Sequence, residues 1–553
     1  MRKYFLLFVI VVIGLSLRFY RLSDNPPSLN WDEVSHGYNA YSILHTGKDE
    51  WGVSWPLIFR AYGDYKLPAY IYLTSISEWF LGLNALAVRF VSAIGGTISI
   101  IFGYLLVKEL FLGKKEREEY AIWAALLIAI EPWSMFLSRG AFEANLAMSF
   151  FLMGAYFLLL GVRKYYALLL GGFFWGLTLW TYNSYRVFTP LMFVSFMIMF
   201  WHELKKIGVA RIIFFVFTFL VFLIPMLWQM FGAEGVARYG LVKIIDEGAI
   251  GKIIDLRNAS KFDPVLTRLL YNRPVYFFIQ FIKNYWSHFS PDFLALKGGS
   301  HYQFSVPRMG LLYLVDIPFL IYGFWWLVKR IDRRVLFLFA WVFIAPIPSS
   351  LTREAPHVLR SITFLPIPMI LTAVGVTNVK FRKATKGMTY FFFIFSLLVL
   401  FFAYMREYFV DYRIKYANSW QYGYKEVVEL VMNQYADFDQ ILITKRYGEP
   451  HEFILFHSGW NPDSFQTDPN LIRFYQSNWY WVDKFDRFYF VNDWLVQDGM
   501  MKKIFRLESG DSVDCINKKC LLVTGGGVLP GSWRKFETIK SLDGMVMFEI
   551  YEN

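Results

Sequence analysis

Runs of apolar residues long enough to cross a bilayer recur along this chain, near 4–19, 88–111, 121–138, 144–160, 165–182, 187–201, 211–230, 309–328, 335–350, 361–377 and 388–405. A crossing takes about 17–25 residues of helix, because in hydrocarbon every backbone N–H and C=O must be paired within the segment. A polytopic α-helical membrane protein of about eleven transmembrane helices is therefore expected. Composition agrees, with 56% hydrophobic and 18% charged residues. The net charge of +12 is not a nucleic-acid signature: residues 407–553 hold 16 Lys+Arg against 21 Asp+Glu, so the basic excess lies between the apolar runs, where it sets topology and meets anionic lipid. Met1-Arg2-Lys3 and the run after it resemble a signal peptide but lack a small-x-small cleavage site, so the run is read as a retained first helix.

A twelfth segment, Leu67 to Leu83, is interrupted by Thr74, Ser75, Ser77 and Glu78. If it does not cross, alternate short loops collect 19 basic residues on one side, including Lys380, Arg382, Lys383 and Lys386, against four on the other (Arg139, Arg186, Arg353, Arg360). Counting it as a crossing would separate Arg2 and Lys3 from the rest, so it is expected to lie in the interface as an amphipathic helix. The N-terminus is then cytoplasmic. Residues 20–87, 139–143, about 232–307, 351–360 and 407–553 face outward from the cell (plasma or inner) membrane. The expected domains are 1–406, in the membrane, and 407–553, an extracytoplasmic α/β domain with strand-like runs at 440–444, 487–491 and 545–549 and a helix at 424–435. No catalytic motif is legible in that domain, and Gly525-Gly526-Gly527 lacks the context of a phosphate loop. Cys515 and Cys520 flank a short turn on the oxidising side, where they are expected to bond to each other.

The unusual polar residues all fall on the outer face. Adjacent carboxylates at a membrane boundary, Asp32 and Glu33 in Asn30-Trp31-Asp32-Glu33, mark acid/base chemistry more often than packing; the same residues also suit a helix cap. Arg139 and Glu143 are spaced as an i, i+4 ion pair. His357 and Arg360 sit where an apolar run begins, and a guanidinium there is badly placed for the helix dipole but well placed for a phosphate. His288 and His301, in an aromatic outer segment, read as structural.

The order of motifs resembles the GT-C membrane glycosyltransferases, in the branch that holds protein O-mannosyltransferases and the lipid A aminoarabinose transferase. It runs from the Asp-Glu pair through Gly63-Asp64-Tyr65-Lys66-Leu67-Pro68-Ala69-Tyr70, Val88-Arg89-Phe90-Val91-Ser92-Ala93 and Ser138-Arg139-Gly140-Ala141-Phe142-Glu143 to His357-Val358-Leu359-Arg360-Ser361. The likeness covers roughly residues 1–380, and 407–553 have no counterpart. It implies a polyprenyl-phosphate-linked sugar as donor and a protein, lipid or glycan as acceptor, with inversion at the sugar. Asp32 is implied as general base with Glu33 orienting it or binding acceptor, and Glu143 as a second acidic residue. Lys66, Arg139, His357 and Arg360 are implied as donor-phosphate contacts. Within such a family a divalent metal is used by some members and not others; here Asp32, Glu33 and Glu143 are the oxygens available to one. The competing reading is a transporter or flippase of a lipid-linked saccharide, which is usually built from repeats with a midplane site; no repeat is visible here. A scaffold presenting the outer domain is a third reading, and it has no need of these charges.

Overall fold

The computed structural model describes residues 2–232, 240–379 and 383–553. Lys380 and Arg382, two of the basic residues used above for orientation, lie outside the described residues. Each expected apolar run contains a helix: Arg2–Phe19, Ala85–Leu110, Arg117–Ile130, Glu143–Gly161, Ala167–Thr178, Asn183–Ile207, Val209–Met230, Asp316–Val328, Arg333–Ile344, Ile367–Asn378 and Lys383–Arg406. Among the described residues, six helices are both long and apolar enough to cross a bilayer, and Ala167–Leu179, Asp316–Val328 and Ile362–Asn378 are shorter apolar helices. The chain is an integral membrane protein, and fewer helices reach full spanning length than the apolar runs suggested.

The run at 121–138 shows why. Glu131 turns its side chain onto the N–H groups of Trp133 and Ser134, both at 2.7 Å, and caps a new helix, Pro132–Leu137. Pro132 cannot continue the preceding ladder. The carbonyls left over at Ile128 and Ala129 accept from the guanidinium of Arg18, itself wholly buried, at 3.0 and 2.9 Å.

Two compact units divide the chain: residues 1–20, 92–138 and 142–404 form the first, and 21–91, 139–141 and 405–553 the second. Inside the first, helices Asp316–Val328 and Ile367–Asn378 touch through Gly323 and Gly375. A Cβ on Gly323 would lie 2.0 Å from the Leu371 carbonyl, and one on Gly375 would lie 1.9 Å from that of Phe319. Small residues that let backbones approach are how helices associate where no hydrophobic gradient drives them together. Phe151 stacks on Trp175 at 4.9 Å and meets the edge of Trp341 at 4.8 Å, forming an aromatic centre.

The second unit joins the first outer loop to the C-terminal segment, whereas the sequence division kept residues 21–91 with the membrane part. Its strands are β1 (Phe59–Ala61), β2 (Asp64–Lys66), β3 (Gln440–Thr444), β4 (Ile472–Gln476), β5 (Trp479–Phe485), β6 (Phe488–Val491), β7 (Ile504–Arg506), β8 (Ser512–Asp514), β9 (Cys520–Gly525), β10 (Arg534–Lys540) and β11 (Val546–Glu552). Seven of these make one sheet in the order β10-β11-β9-β3-β6-β5-β4, with β3 parallel to β6 and β9. Gln440-Ile441-Leu442-Ile443-Thr444 is buried throughout, as a central parallel strand must be. The disulfide Cys515–Cys520 is formed. The outer loop is tied to this domain by direct bonds. Tyr38 Oη donates to the Trp460 carbonyl (3.2 Å), Gln466 Nε2 to that of Asp49 (2.8 Å), and Arg473 Nη2 to that of Glu50 (2.8 Å).

The segment expected in the interface forms the helix Pro68–Leu81, 14 residues long, or about 21 Å against a hydrocarbon core of about 30 Å. Its large apolar side chains Ile76, Trp79 and Phe80 are exposed while Thr74, Ser77 and Glu78 are buried. An apolar face turned outward suits a helix lying in a membrane surface.

Candidate active site

The helix Trp31–Thr46 begins where the sequence allowed either a cap or a site, and the two roles fall to different residues. Asn30 is the N-cap: its side chain accepts from the Glu33 N–H (3.1 Å) while Glu33 reaches back to the Asn30 N–H (3.2 Å). This reciprocal arrangement satisfies two donors that the first turn would otherwise leave unpaired. Asp32 takes no part in it.

Glu33 is fully committed. Oε1 accepts from Arg89 Nε and the Ala141 N–H, each at 2.9 Å; Oε2 accepts from Arg89 Nη2 at 2.9 Å as well as from Asn30. Arg89 spends its other donors on the carbonyls of Leu22 (3.0 Å), Pro26 (2.9 Å) and Ser28 (2.5 Å). All five guanidinium N–H groups and all four carboxylate lone-pair positions are thus used inside the protein. Both side chains are buried, so this is a brace for the first turn and the loop before it. A metal site built on Asp32, Glu33 and Glu143 would need a free lone pair on Glu33, and its four hydrogen bonds leave none.

Asp32 is the outward member of the pair. Its carboxylate is 44% exposed and meets Lys66 Nζ at 2.7 Å, the lysine being 16% exposed. Lys66 closes β2, paired with β1 in a hairpin whose register sets Phe59 opposite it. At the hairpin turn a Cβ on Gly63 would lie 2.4 Å from the Asn478 carbonyl, so the glycine lets the two backbones meet. Tyr62 Oη donates to the Trp31 carbonyl at 2.7 Å, and its ring stacks on Trp479 at 5.5 Å. Trp31 lies 6.5 Å from Trp479, which completes an aromatic group beside the ion pair. A partly exposed pair of this kind is worth about 1 kcal/mol or less, whereas a buried, fully bonded pair costs several to break. The first can exchange partners with a ligand. The second cannot.

Arg139 also belongs to the second unit and is wholly buried. Nε donates to Tyr408 Oη (3.1 Å) and Nη2 to the Asn25 carbonyl (2.8 Å), with the guanidinium 4.8 Å from the Phe409 ring centre.

The other sequence candidates lie in the first unit. Glu143 is half-buried and opens the helix Glu143–Gly161, where a carboxylate suits the helix dipole. Arg360, expected at a helix N-terminus, instead sits in irregular chain before the short turn Ile362–Phe364, and the helix begins only at Ile367. Pro366 explains the delay, since Leu365 before it is held extended (φ −76°, ψ 138°). The Arg360 guanidinium donates to Thr352 Oγ1 (3.0 Å) and faces Glu354 at 3.4 Å. His357 Nδ1 lies 3.4 Å from the Arg360 N–H, and its ring is 5.0 Å from Phe304, on which His301 stacks at 4.5 Å. His288 is held structurally: Nδ1 lies 2.7 Å from the Asn284 carbonyl and burial pushes its pKa down to about 4.

Arg89 and the rings of Tyr62 and Trp479 were not singled out from sequence. For Arg89 the signal was available, because an arginine opening an apolar run requires a buried partner. For Trp479 there was none, at more than 400 residues from Trp31.

The fold, with its many membrane helices and an outer loop carrying short helices, is shared with a solved structure. The structure is similar to ArnT from Cupriavidus metallidurans in the apo state, with a TM-score of 0.53 at 11% identity over 99% of this chain and 97% of that one. The same protein bound to undecaprenyl phosphate gives 0.53 at 10% identity, with the same coverage. AglB, the oligosaccharyltransferase of Archaeoglobus fulgidus, in complex with an inhibitory peptide and a dolichol-phosphate, gives 0.48 at 13% identity over 83% of this chain; the chain covers only 64% of AglB's length. No protein-family model and no curated protein matches the chain.

Proposed function

We propose that the chain is an inverting glycosyltransferase that moves a sugar from a polyprenyl-phosphate donor to an acceptor hydroxyl on the extracytoplasmic face. The observation that carries this is the half-exposed Asp32 carboxylate set beside the Lys66 ammonium on a helix turn braced by Glu33 and Arg89. The GT-C type fold supports it, as does the neighbour solved with undecaprenyl phosphate. In the proposed step the acceptor oxygen attacks the anomeric carbon and passes its proton to Asp32. The bond from that carbon to the phosphate oxygen breaks with its electrons going to the phosphate, and Lys66 leaves Asp32 to meet the charge developing there. The aromatic group of Trp31, Tyr62 and Trp479 is a surface for a sugar ring. Glu33 orients the first turn, and Arg139 holds the segment whose Ala141 N–H bonds Glu33. The resemblance implies Arg360 and His357 as donor-phosphate contacts and Glu143 as a second acidic residue.

The test is transfer by the full-length chain in detergent from purified polyprenyl phosphate-linked sugars, read alongside mass spectrometry of envelope glycans and glycoproteins with and without the gene. Lys66→Ala and Arg360→Ala are each expected to raise the donor KM by about 10- to 100-fold, which is the loss of one charge-assisted bond worth about 1.5–3 kcal/mol. An unchanged donor KM in both variants would remove these residues from the donor site.

The charge bias also predicts orientation. A cleavable tag after Asn553 is expected to be digested by protease added to intact cells. Protection until lysis would place the C-terminal domain on the cytoplasmic side and overturn the proposed face of reaction.

A further inference from the structure

A second cluster of titratable side chains is buried in the same unit, beside the aromatic group of Tyr62 and Trp479. Glu50 follows the helix Trp31–Thr46, while Glu449, His451 and Glu452 stand at the start of the helix Pro450–Ser458. Their exposures are 4%, 2%, 6% and 1%. One donor atom each from Glu50, His451 and Glu452 lies within 4.8 Å of the others. The two imidazole nitrogens face different carboxylates, Nε2 standing 3.9 Å from Glu452 Oε1 and Nδ1 3.5 Å from Glu449 Oε2.

The hydrogen bonds in this cluster are incomplete. Glu50 Oε1 accepts from Trp51 Nε1 at 3.1 Å and Glu449 Oε1 from Trp479 Nε1. Glu50 Oε2, Glu452 Oε2 and His451 Nδ1 are buried without a hydrogen bond to a group of another kind, and the Glu50 and Glu452 carboxyls stand within hydrogen-bonding reach of each other. The charges do not balance either. Arg473 faces the group, donating Nη2 to the Glu50 carbonyl and lying over Trp51 at 4.2 Å, while nearby Lys445 is engaged by Asp483 and Glu508. Three buried carboxyls against one buried guanidinium is an arrangement that must either hold protons or gain a cation.

We propose that Glu50, His451 and Glu452 bind one divalent cation of the zinc class. An imidazole with two carboxylates is a zinc-type donor set. An imidazole whose second nitrogen faces another carboxylate, here Glu449, is how such ligands are commonly oriented. The ion's two positive charges offset the two ligand carboxylates, which completes the cluster's electrostatics. The ion joins the loop after the Asp32 helix to the C-terminal domain. The site adjoins the proposed sugar surface, since Glu449 also holds Trp479, but none of the ion's three ligands has a role in the proposed transfer.

The test uses the full-length chain in detergent, loaded with zinc and dialysed against zinc-free buffer. Elemental analysis is expected to find one zinc per chain, lost in Glu452→Gln and in His451→Gln. A strong chelator is expected to lower the wild-type Tm by several degrees, with zinc but not magnesium restoring it. If those variants do not fold, wild-type protein titrated with cobalt(II) decides the matter, since a visible d–d band displaced by an equivalent of zinc is expected. Zinc retained by both variants, or no zinc and no cobalt band in the wild type, overturns the proposal. A Glu452→Gln variant as stable as the zinc-loaded wild type also overturns it and identifies Glu50 and Glu452 as carboxyls sharing a proton.

Discussion

Asp32→Asn is expected to lower sugar transfer by about 10²-fold or more while leaving folding and donor binding close to those of the wild type. The amide keeps the shape of the carboxylate but cannot take the acceptor's proton. Asp32 contributes nothing to the cap of its helix, which Asn30 and Glu33 form between them, and its pair with Lys66 is partly exposed, so its loss costs little stability. The measurement is a turnover assay of the purified variant with Tm recorded in parallel. Near wild-type turnover would leave Asp32 as a surface residue paired with a lysine and would withdraw it as general base. A loss of activity accompanied by a matching loss of folded protein would not count in its favour, and the parallel Tm separates the two.

Arg89→Ala is expected to act in the opposite way, through stability. Removing the guanidinium strands the Glu33 carboxylate in a buried site and leaves the carbonyls of Leu22, Pro26 and Ser28 without their donor. Breaking a buried pair from one side typically costs about 3–5 kcal/mol, a large share of the stability of most domains. Arg89→Lys is expected to rescue little, because one ammonium cannot serve five acceptors in a planar fork. Thermal unfolding in detergent, read by size-exclusion recovery after heating, measures both. A wild-type melting curve for Arg89→Ala would mean that the Glu33 brace does not hold the first turn.

The two residues of the Asp-Glu pair therefore divide their work according to where they point on the helix. Adjacent positions are about 100° apart around the axis, so Glu33 faces the protein and Asp32 faces out. From the residues alone the pair was read together, and only the resemblance implied Asp32 as base with Glu33 beside it. What separates them is an arginine 56 residues away, and no local pattern carries that information.

Features set by neighbours along the chain were legible without the structure. Long apolar runs can only be helices in hydrocarbon, and Asn30 with Asp32 suited the cap of a helix start, although the cap proved to be Asn30 with Glu33. Alternating apolar residues at 440–444 make a buried strand, and two cysteines separated by four residues close a short loop. Tertiary structure decided whatever depends on which distant groups meet. Helix lengths were trimmed where Glu131 and Arg18 found backbone partners, and the start of the helix at Ile367 was delayed by Pro366. The first outer loop was assigned to the C-terminal unit, and Glu50 was set against His451 and Glu452 some 400 residues later in the chain. The physical reason is the range of the forces. Backbone hydrogen bonds and side-chain alternation act over a few residues and repeat with a fixed period, whereas the pairing of buried charges is chosen by the cost of leaving any of them alone in a low-dielectric interior, and that cost exists only once the chain has folded.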